Sequence, residues 1–254
     1  MSDLISAEFE VLDPRFAGTG GDRKVARLFA GGRWLEGPAY HPAGRFVLFS
    51  DIPNDRVLRY DEVSERTDVF LTPAGFSNGR TVDRRGRFVA CEHGGRRVTR
   101  TEHDGSITVL AASYQGHRLN SPNDVVEHSD GSIWFTDPTY GIHTDYEGHE
   151  APSEINSRNV YRIDPAGGDI TAVVEDFAQP NGLCFSLDES RLFVNDTERQ
   201  HIRVFTVKGN GDLGGGAVWA VTEGEGPGAP DGMKIDSRGN LYCCGPGGVH
   251  VFDP

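Results

Sequence analysis

Short β-branched and aromatic runs alternate with polar positions along the whole chain, and each run is bounded by Gly, Asp, Asn or Ser. No apolar stripe of period 3.6 and useful length appears. The clearest unit is SPNDVVEHSDGSIWFTDPTY at residues 121–140. Val125 and Val126 supply a short strand, Ser129-Asp130-Gly131 a turn, and residues 132–136 a second strand. A hairpin returns the chain to the edge it left, so Asn123 and Asp137 are expected to be neighbours at one end of a sheet.

The same layout starts at Glu36, Asn78, Asn181 and Asp231, and the five anchors at 36, 78, 123, 181 and 231 lie roughly 42–58 residues apart. Two more strand candidates follow each of the first four copies, near 56–60 and 68–71, 98 and 107–110, 159–163 and 171–175, and 201–207 and 217–221. One follows the fifth, at 248–252. This period is that of a propeller blade, so the pattern predicts an all-β propeller of four-stranded antiparallel blades. Residues 1–22, ending in the GTGG loop at 18–21, read as an N-terminal arm, and residues 23–254 as one propeller domain. The strand at 24–30 has no hairpin partner of its own, and is expected to close the ring as the outermost strand of a blade shared by both termini. The strand count allows five closed blades or a six-bladed ring whose last blade is missing or incomplete. The longest insertion, 138–158, leaves the face that carries the polar anchors and is expected to form a lid.

Composition agrees: 33 Gly and 14 Pro with only 37% hydrophobic residues suit short strands and tight turns. A net charge of −13 argues against a nucleic-acid partner, which needs a basic face, and suits cation binding. No segment is long or apolar enough for a membrane span or leader, so a soluble, cytoplasmic protein is expected. Cys91, Cys184, Cys243 and Cys244 lack metal-finger spacing and read as buried free thiols.

Innermost strands of a propeller converge on its axis, so the anchors Glu36, Asn78, Asn123, Asn181 and Asp231 are expected to meet there. All carry a side-chain oxygen, and hard donors of this kind suit Ca²⁺ or Mg²⁺. Asn-Gly and Asp-Gly are also turn signals, but the ordinary turn of each copy falls elsewhere, at Arg85-Gly86 or Arg238-Gly239 for example. The rim should carry Asp51, Glu92, His93, Asp137 and Asp196. For Asp51 and Asp196 the competing reading is acceptance from loop amides, and for Arg96, Arg97 and Arg100 a solvated face.

Glu36-Gly-Pro, Ser121-Pro-Asn123-Asp, Trp134-Phe-Thr-Asp137-Pro-Thr-Tyr-Gly141, Pro180-Asn181-Gly and Pro230-Asp231-Gly, in that order, resemble the motifs of the gluconolactonase and senescence-marker-protein family of sugar lactone hydrolases. The resemblance implies a six-bladed propeller with one divalent cation in its channel, Ca²⁺ first and Mg²⁺, Zn²⁺ or Mn²⁺ as alternatives. It carries the metal ligands to Glu36, Asn181 and Asp231, with Asn123 as the fourth. Some members place an arginine where Ser121 stands, so substrate contact is expected from Arg118 or His93, with Asn78 and Tyr140. Relatives continue beyond the position of Pro254, which suggests an open ring between the fifth copy and Lys24. The expected activity is metal-dependent hydrolysis of a small-molecule aldonolactone such as gluconolactone, with Asp231, or alternatively Asp137, as proton acceptor. Phosphotriester or aryl ester hydrolysis, and a non-catalytic calcium-binding propeller, are the rival readings.

Overall fold

Five antiparallel sheets follow one another in chain order in the computed structural model, which describes residues 3–18, 21–166 and 168–253. Thr19 and Gly20 of the GTGG loop lie outside the described residues. The first blade comprises Leu35–His41, Phe46–Asp51, Arg56–Asp61 and Arg66–Leu71, and the second Ser77–Val82, Phe88–Glu92, Arg97–Thr101 and Ile107–Ala111. The third comprises Val125–Glu127, Ile133–Thr136, Val160–Ile163 and Ile170–Val174, and the fourth Pro180–Phe185, Arg191–Asp196, His201–Val207 and Leu213–Val221. Met233–Ile235, Leu241–Gly245 and Gly248–Phe252 make the fifth, which has three strands. Within each sheet the spatial order of strands is their order in sequence, as short hairpin connections require. No helix is long and apolar enough to cross a membrane among the described residues.

Two expectations about the ring are corrected. The described residues build five blades, where the resemblance implied six. The strand expected to complete the last blade, Lys24–Arg27, instead pairs with Asp3–Ser6 in a separate ribbon, in the register Ser6↔Lys24 to Asp3↔Arg27. The run at 24–30 does form a strand over Lys24–Arg27, but four residues carry nothing that selects one sheet edge over another. The first and fifth blades face each other across a cleft lined by Leu35, Tyr242, Cys244 and Val249.

The core lies between blades, because the second, third and fourth sheets bury both faces against their neighbours. In the strand Arg191–Asp196, Leu192 and Val194 pack with Trp134, Val160 and Phe205, whereas the intervening Phe193 packs with Met233, Leu241 and Cys243. That alternation is the two-residue period of a strand. Leu48 and Val57 pack with Phe46 and Phe88 between the first two blades, and Val89, Val125 and Phe135 between the next two. Three cysteines are buried free thiols as expected, but Cys244 is exposed, since it faces the cleft.

The glycines that follow Asn78 and Asn181 are not turn residues. Gly79 and Gly182 sit inside strands with φ outside the left-handed region, while Gly86 and Gly239 hold the turns with φ of 78° and 90°. A Cβ on Gly79 would lie 2.3 Å from the Asn123 carbonyl oxygen, and one on Gly182 would lie 2.2 Å from that of Asp231. Glycine here lets neighbouring inner strands touch. Gly79→Ala is therefore expected to cost about 1–3 kcal/mol, the usual penalty of overpacking. Urea denaturation would check it, and an unchanged midpoint would disprove the close approach.

Candidate active site in the central channel

The five anchors do meet. Glu36, Asn78, Asn123, Asn181 and Asp231 line one cavity of about 480 Å³, a size suited to a small ligand. Their placement follows from a repeated backbone bond between blades. Ser50 Oγ donates to the Asn78 carbonyl at 2.9 Å and Thr136 Oγ1 to that of Asn181 at 2.7 Å, and Asn195 Nδ2 donates to that of Asp231. In the second blade the equivalent residue is Cys91, a weak donor, and the Asn123 carbonyl accepts instead from the Gly79 N–H at 2.8 Å. Asn78, Asn123, Asn181 and Asp231 are thus each held by the blade before them.

The site is crowded with negative charge. Burial, and then the Asp231 charge, push the Glu36 carboxyl up to about 8, against the opposing hydrogen bond from Trp34 Nε1 at 2.9 Å. Burial also raises Asp231, helped by the Asp124 charge and opposed by the Asn181 amide and the Gly232 N–H. Glu147, from the insertion, is raised by burial and by Asp231. Asp124 was not foreseen, although it follows an anchor directly. Its Oδ2 is buried without a hydrogen bond, and the Lys234 ammonium stands 3.7 Å away.

This donor set fits a hard divalent cation. Two carboxylates and two amides, all oxygen donors, face one cavity, and the carboxylates raise each other's affinity for positive charge. Among the described residues there is no cluster of three or more His, Cys, Asp or Glu side chains of metal-binding arrangement, as expected when half of the donors are amides.

The rim carboxylates do something else. Asp51 Oδ1 accepts from the Arg33 N–H at 2.9 Å, Asp137 Oδ2 from Asn120 at 2.9 Å, and Asp196 Oδ2 from Ala178 at 2.8 Å. The three donors stand at the same place, on the loop that leads into each inner strand. These carboxylates latch the loops, which is the competing reading for Asp51 and Asp196, and Asp137 makes the same kind of bond. Asp137 has no exposed surface and does not line the cavity, and burial pushes its carboxyl up to about 7 against the Asn120 and Ser121 N–H groups and Arg96. The geometry sets it apart from the cavity carboxylates with which the sequence grouped it. Arg96 is no solvated residue: it is buried, and its Nε donates to the Leu119 carbonyl at 2.6 Å.

Ser121 ties down the insertion. Its Oγ donates to the Pro138 carbonyl at 2.7 Å and accepts from the Gly141 N–H at 3.0 Å. The helical turn Tyr140–His143 follows, Gln179 Nε2 donates to Thr139 Oγ1 at 2.9 Å, and the rings of His149 and Phe76 meet edge to face. The insertion thus spans from the third blade to the second and fourth. Burial, opposed by the Thr197 hydroxyl and aided by the Asp231 charge, pushes the Tyr140 hydroxyl up to about 12. Buried His93 joins the insertion to Asn78: its Nε2 is 3.3 Å from Asn78 Nδ2 and its Nδ1 is 3.2 Å from the Glu147 carbonyl oxygen. Arg118 is not brought to the channel. It lies exposed on the ribbon Ser113–Tyr114 and His117–Arg118, where its N–H donates to Glu154 at 2.9 Å.

Comparison with known proteins bears on this site. The sequence profile of the SMP-30/Gluconolactonase/LRE-like region matches residues 34–254. The chain is 31% identical to a gluconolactonase of Zymomonas mobilis over 87% of its own length and 67% of that protein. It is 27% identical to a pentonolactonase of Haloferax volcanii over 82% of its own length and 65% of that protein. The chain thus spans about two thirds of the length of these relatives. Among solved structures, a gluconolactonase of Xanthomonas campestris superposes with a TM-score of 0.91 at 36% identity, covering 99% of this chain and 84% of that one.

Proposed function

This chain belongs to the SMP-30/gluconolactonase/LRE-like family, and from that premise we propose that it hydrolyses a sugar lactone to the open-chain hydroxy acid in a divalent-metal-dependent reaction. The observation that carries the reading is the pairing of Glu36 and Asp231 with the amides of Asn123 and Asn181 on one cavity. Gluconolactonase and pentonolactonase relatives at moderate identity over most of the chain support lactones as the substrate class.

Glu36, Asn123, Asn181 and Asp231 would hold the cation, Ca²⁺ by the hardness of the donors. When bound, it would supply Lewis-acid polarisation of the lactone carbonyl and charge for the oxyanion. The chain's own residues do the rest. Asp231 takes a proton from water as that water's oxygen attacks the carbonyl carbon, and the ring C–O bond then breaks, with a proton passing to the leaving alkoxide. Burial and neighbouring negative charge raise the basicity of Asp231, as a proton acceptor requires. Asn78, which lines the cavity, faces the substrate, and Tyr140, within reach of the Asp231 charge, borders it. Asp137 serves as a latch behind the site, not as its base.

The test is hydrolysis of gluconolactone compared with an aryl acetate and a phosphotriester, before and after chelation. Lactone turnover should dominate, fall about 10²-fold or more when the metal is removed, and return with Ca²⁺. Unchanged turnover after chelation would sink the metal requirement, and dominance of the aryl ester would sink the choice of lactones.

A further inference from the structure

We infer that His93 is a positioning residue with two duties: it seats the insertion over the channel mouth, and it turns the side-chain carbonyl of Asn78 into the cavity as an acceptor for a substrate hydroxyl. The inference rests on the lactonase reading for the nature of the substrate, but not for the arrangement of the ring.

A chain of hydrogen-bond roles leads to it. The Glu147 backbone oxygen, 3.2 Å from Nδ1, can only accept, so Nδ1 carries a proton. His93 has no exposed surface, and burial brings its pKa down to about 4, so the ring is neutral and Nε2 keeps its lone pair. Nε2 must then accept from the Asn78 amide 3.3 Å away, which fixes Nδ2 towards His93 and Oδ1 away from it. The amide orientation, which density alone often leaves open, is set here by a main-chain carbonyl two bonds removed. Asn78 lines the cavity, and no donor meets its Oδ1 among the described residues.

The same ring supports the insertion. A Cβ on Gly141 would lie 2.4 Å from His93 Cβ, and one on Gly148 would lie 2.1 Å from the Gly141 carbonyl oxygen. Both glycines are needed for the insertion to fold down onto His93, with the Glu147 carbonyl as its point of attachment. The channel wall then offers Asn78 Oδ1 as an acceptor on the cavity that Glu36 and Asp231 also line. A lactone ring bearing hydroxyls supplies the matching donors. An unsubstituted lactone would leave Asn78 Oδ1 unpaired, and sites built to pair a hydroxyl discriminate against ligands that lack it.

Three measurements test the two duties. The ¹⁵N shifts of the His93 ring in the wild-type protein at pH 7 should report the neutral Nδ1–H tautomer, and an Nε2–H tautomer overturns the inference whatever the variants do. His93→Asn can keep the donor to Glu147 but does not reach Asn78. It should lower the preference for gluconolactone over δ-valerolactone, as kcat/KM, by about tenfold, while chymotrypsin still cuts slowly at exposed Tyr146. His93→Gln can reach Asn78 with an acceptor but not Glu147, so it should keep the preference and be cut faster. A preference and a cleavage rate that move together in both variants would show a merely structural role and overturn the division of duties. Turnover of neither lactone by the wild type would overturn the substrate half together with the lactonase reading, and the tautomer and cleavage results would still decide the positioning half.

Discussion

Asp231→Asn is expected to lower kcat for gluconolactone by about 10²–10⁴-fold, the range lost with a positioned proton acceptor, while the fold stays intact. Asparagine has the same shape, and residue 231 keeps the bond from Asn195 because that bond uses the main-chain carbonyl. Removing the charge also relieves repulsion with Glu36, Asp124 and Glu147, so the melting temperature should be equal or higher. Activity lost at undiminished stability marks a chemical role. Asp137→Ala should behave in the opposite way, losing about 1–3 kcal/mol as the buried Asn120 N–H loses its acceptor, with kcat following only the folded fraction. If Asp231→Asn turns over at the wild-type rate, the assignment of Asp231 fails. If Asp137→Ala abolishes turnover at full stability, its reading as a latch fails.

The second large effect is on stability against pH. His93, held neutral by burial with a pKa of about 4, would titrate near 6.5 in the unfolded chain. Between those values the unfolded state binds the extra proton, so stability rises with pH. The contribution is complete above pH 6.5 and is lost as pH falls through 4, about 3 kcal/mol in all. Glu36 and Asp137, with carboxyls raised to about 8 and about 7, act with the opposite sign, so the wild-type curve alone does not isolate the histidine. The difference between wild type and His93→Gln does. Urea midpoints at pH 7, 6, 5 and 4.5 should converge as the pH falls, and a constant difference would mean that the ring is not held neutral.

The blades and the inward anchors were legible in sequence because each is written five times over, in a period longer than that of most helical repeats. A single copy would have misled. Asn78-Gly79 and Asn181-Gly182 look like turns locally, and only the presence of another turn in each copy exposed them as something else. The reason for their glycines, contact with the next anchor's carbonyl, belongs to the packing of strands distant in sequence. The same limit hid the pairing of Lys24–Arg27 with Asp3–Ser6, and it made Asp137 look like a partner of Asp231 because both carry carboxylates at strand ends on the anchor face. Asp124 has no counterpart in the other copies, where glycine follows the anchor each time, so repetition gives it no signal. Repetition shows what blades share, and a residue unique to one blade leaves no such signal.

The bond from the second strand of the first, third and fourth blades to the next anchor gives the ring a direction. Ser50 serves Asn78, Thr136 serves Asn181 and Asn195 serves Asp231. The hereditary unit of the site is therefore not the blade. It is an inner strand together with the second strand of the blade before it. Recombination that exchanges whole blades would separate every anchor at the crossover from its own donor, whereas crossovers between first and second strands would carry the two together. Chimaeras within this family should survive or fail according to that boundary.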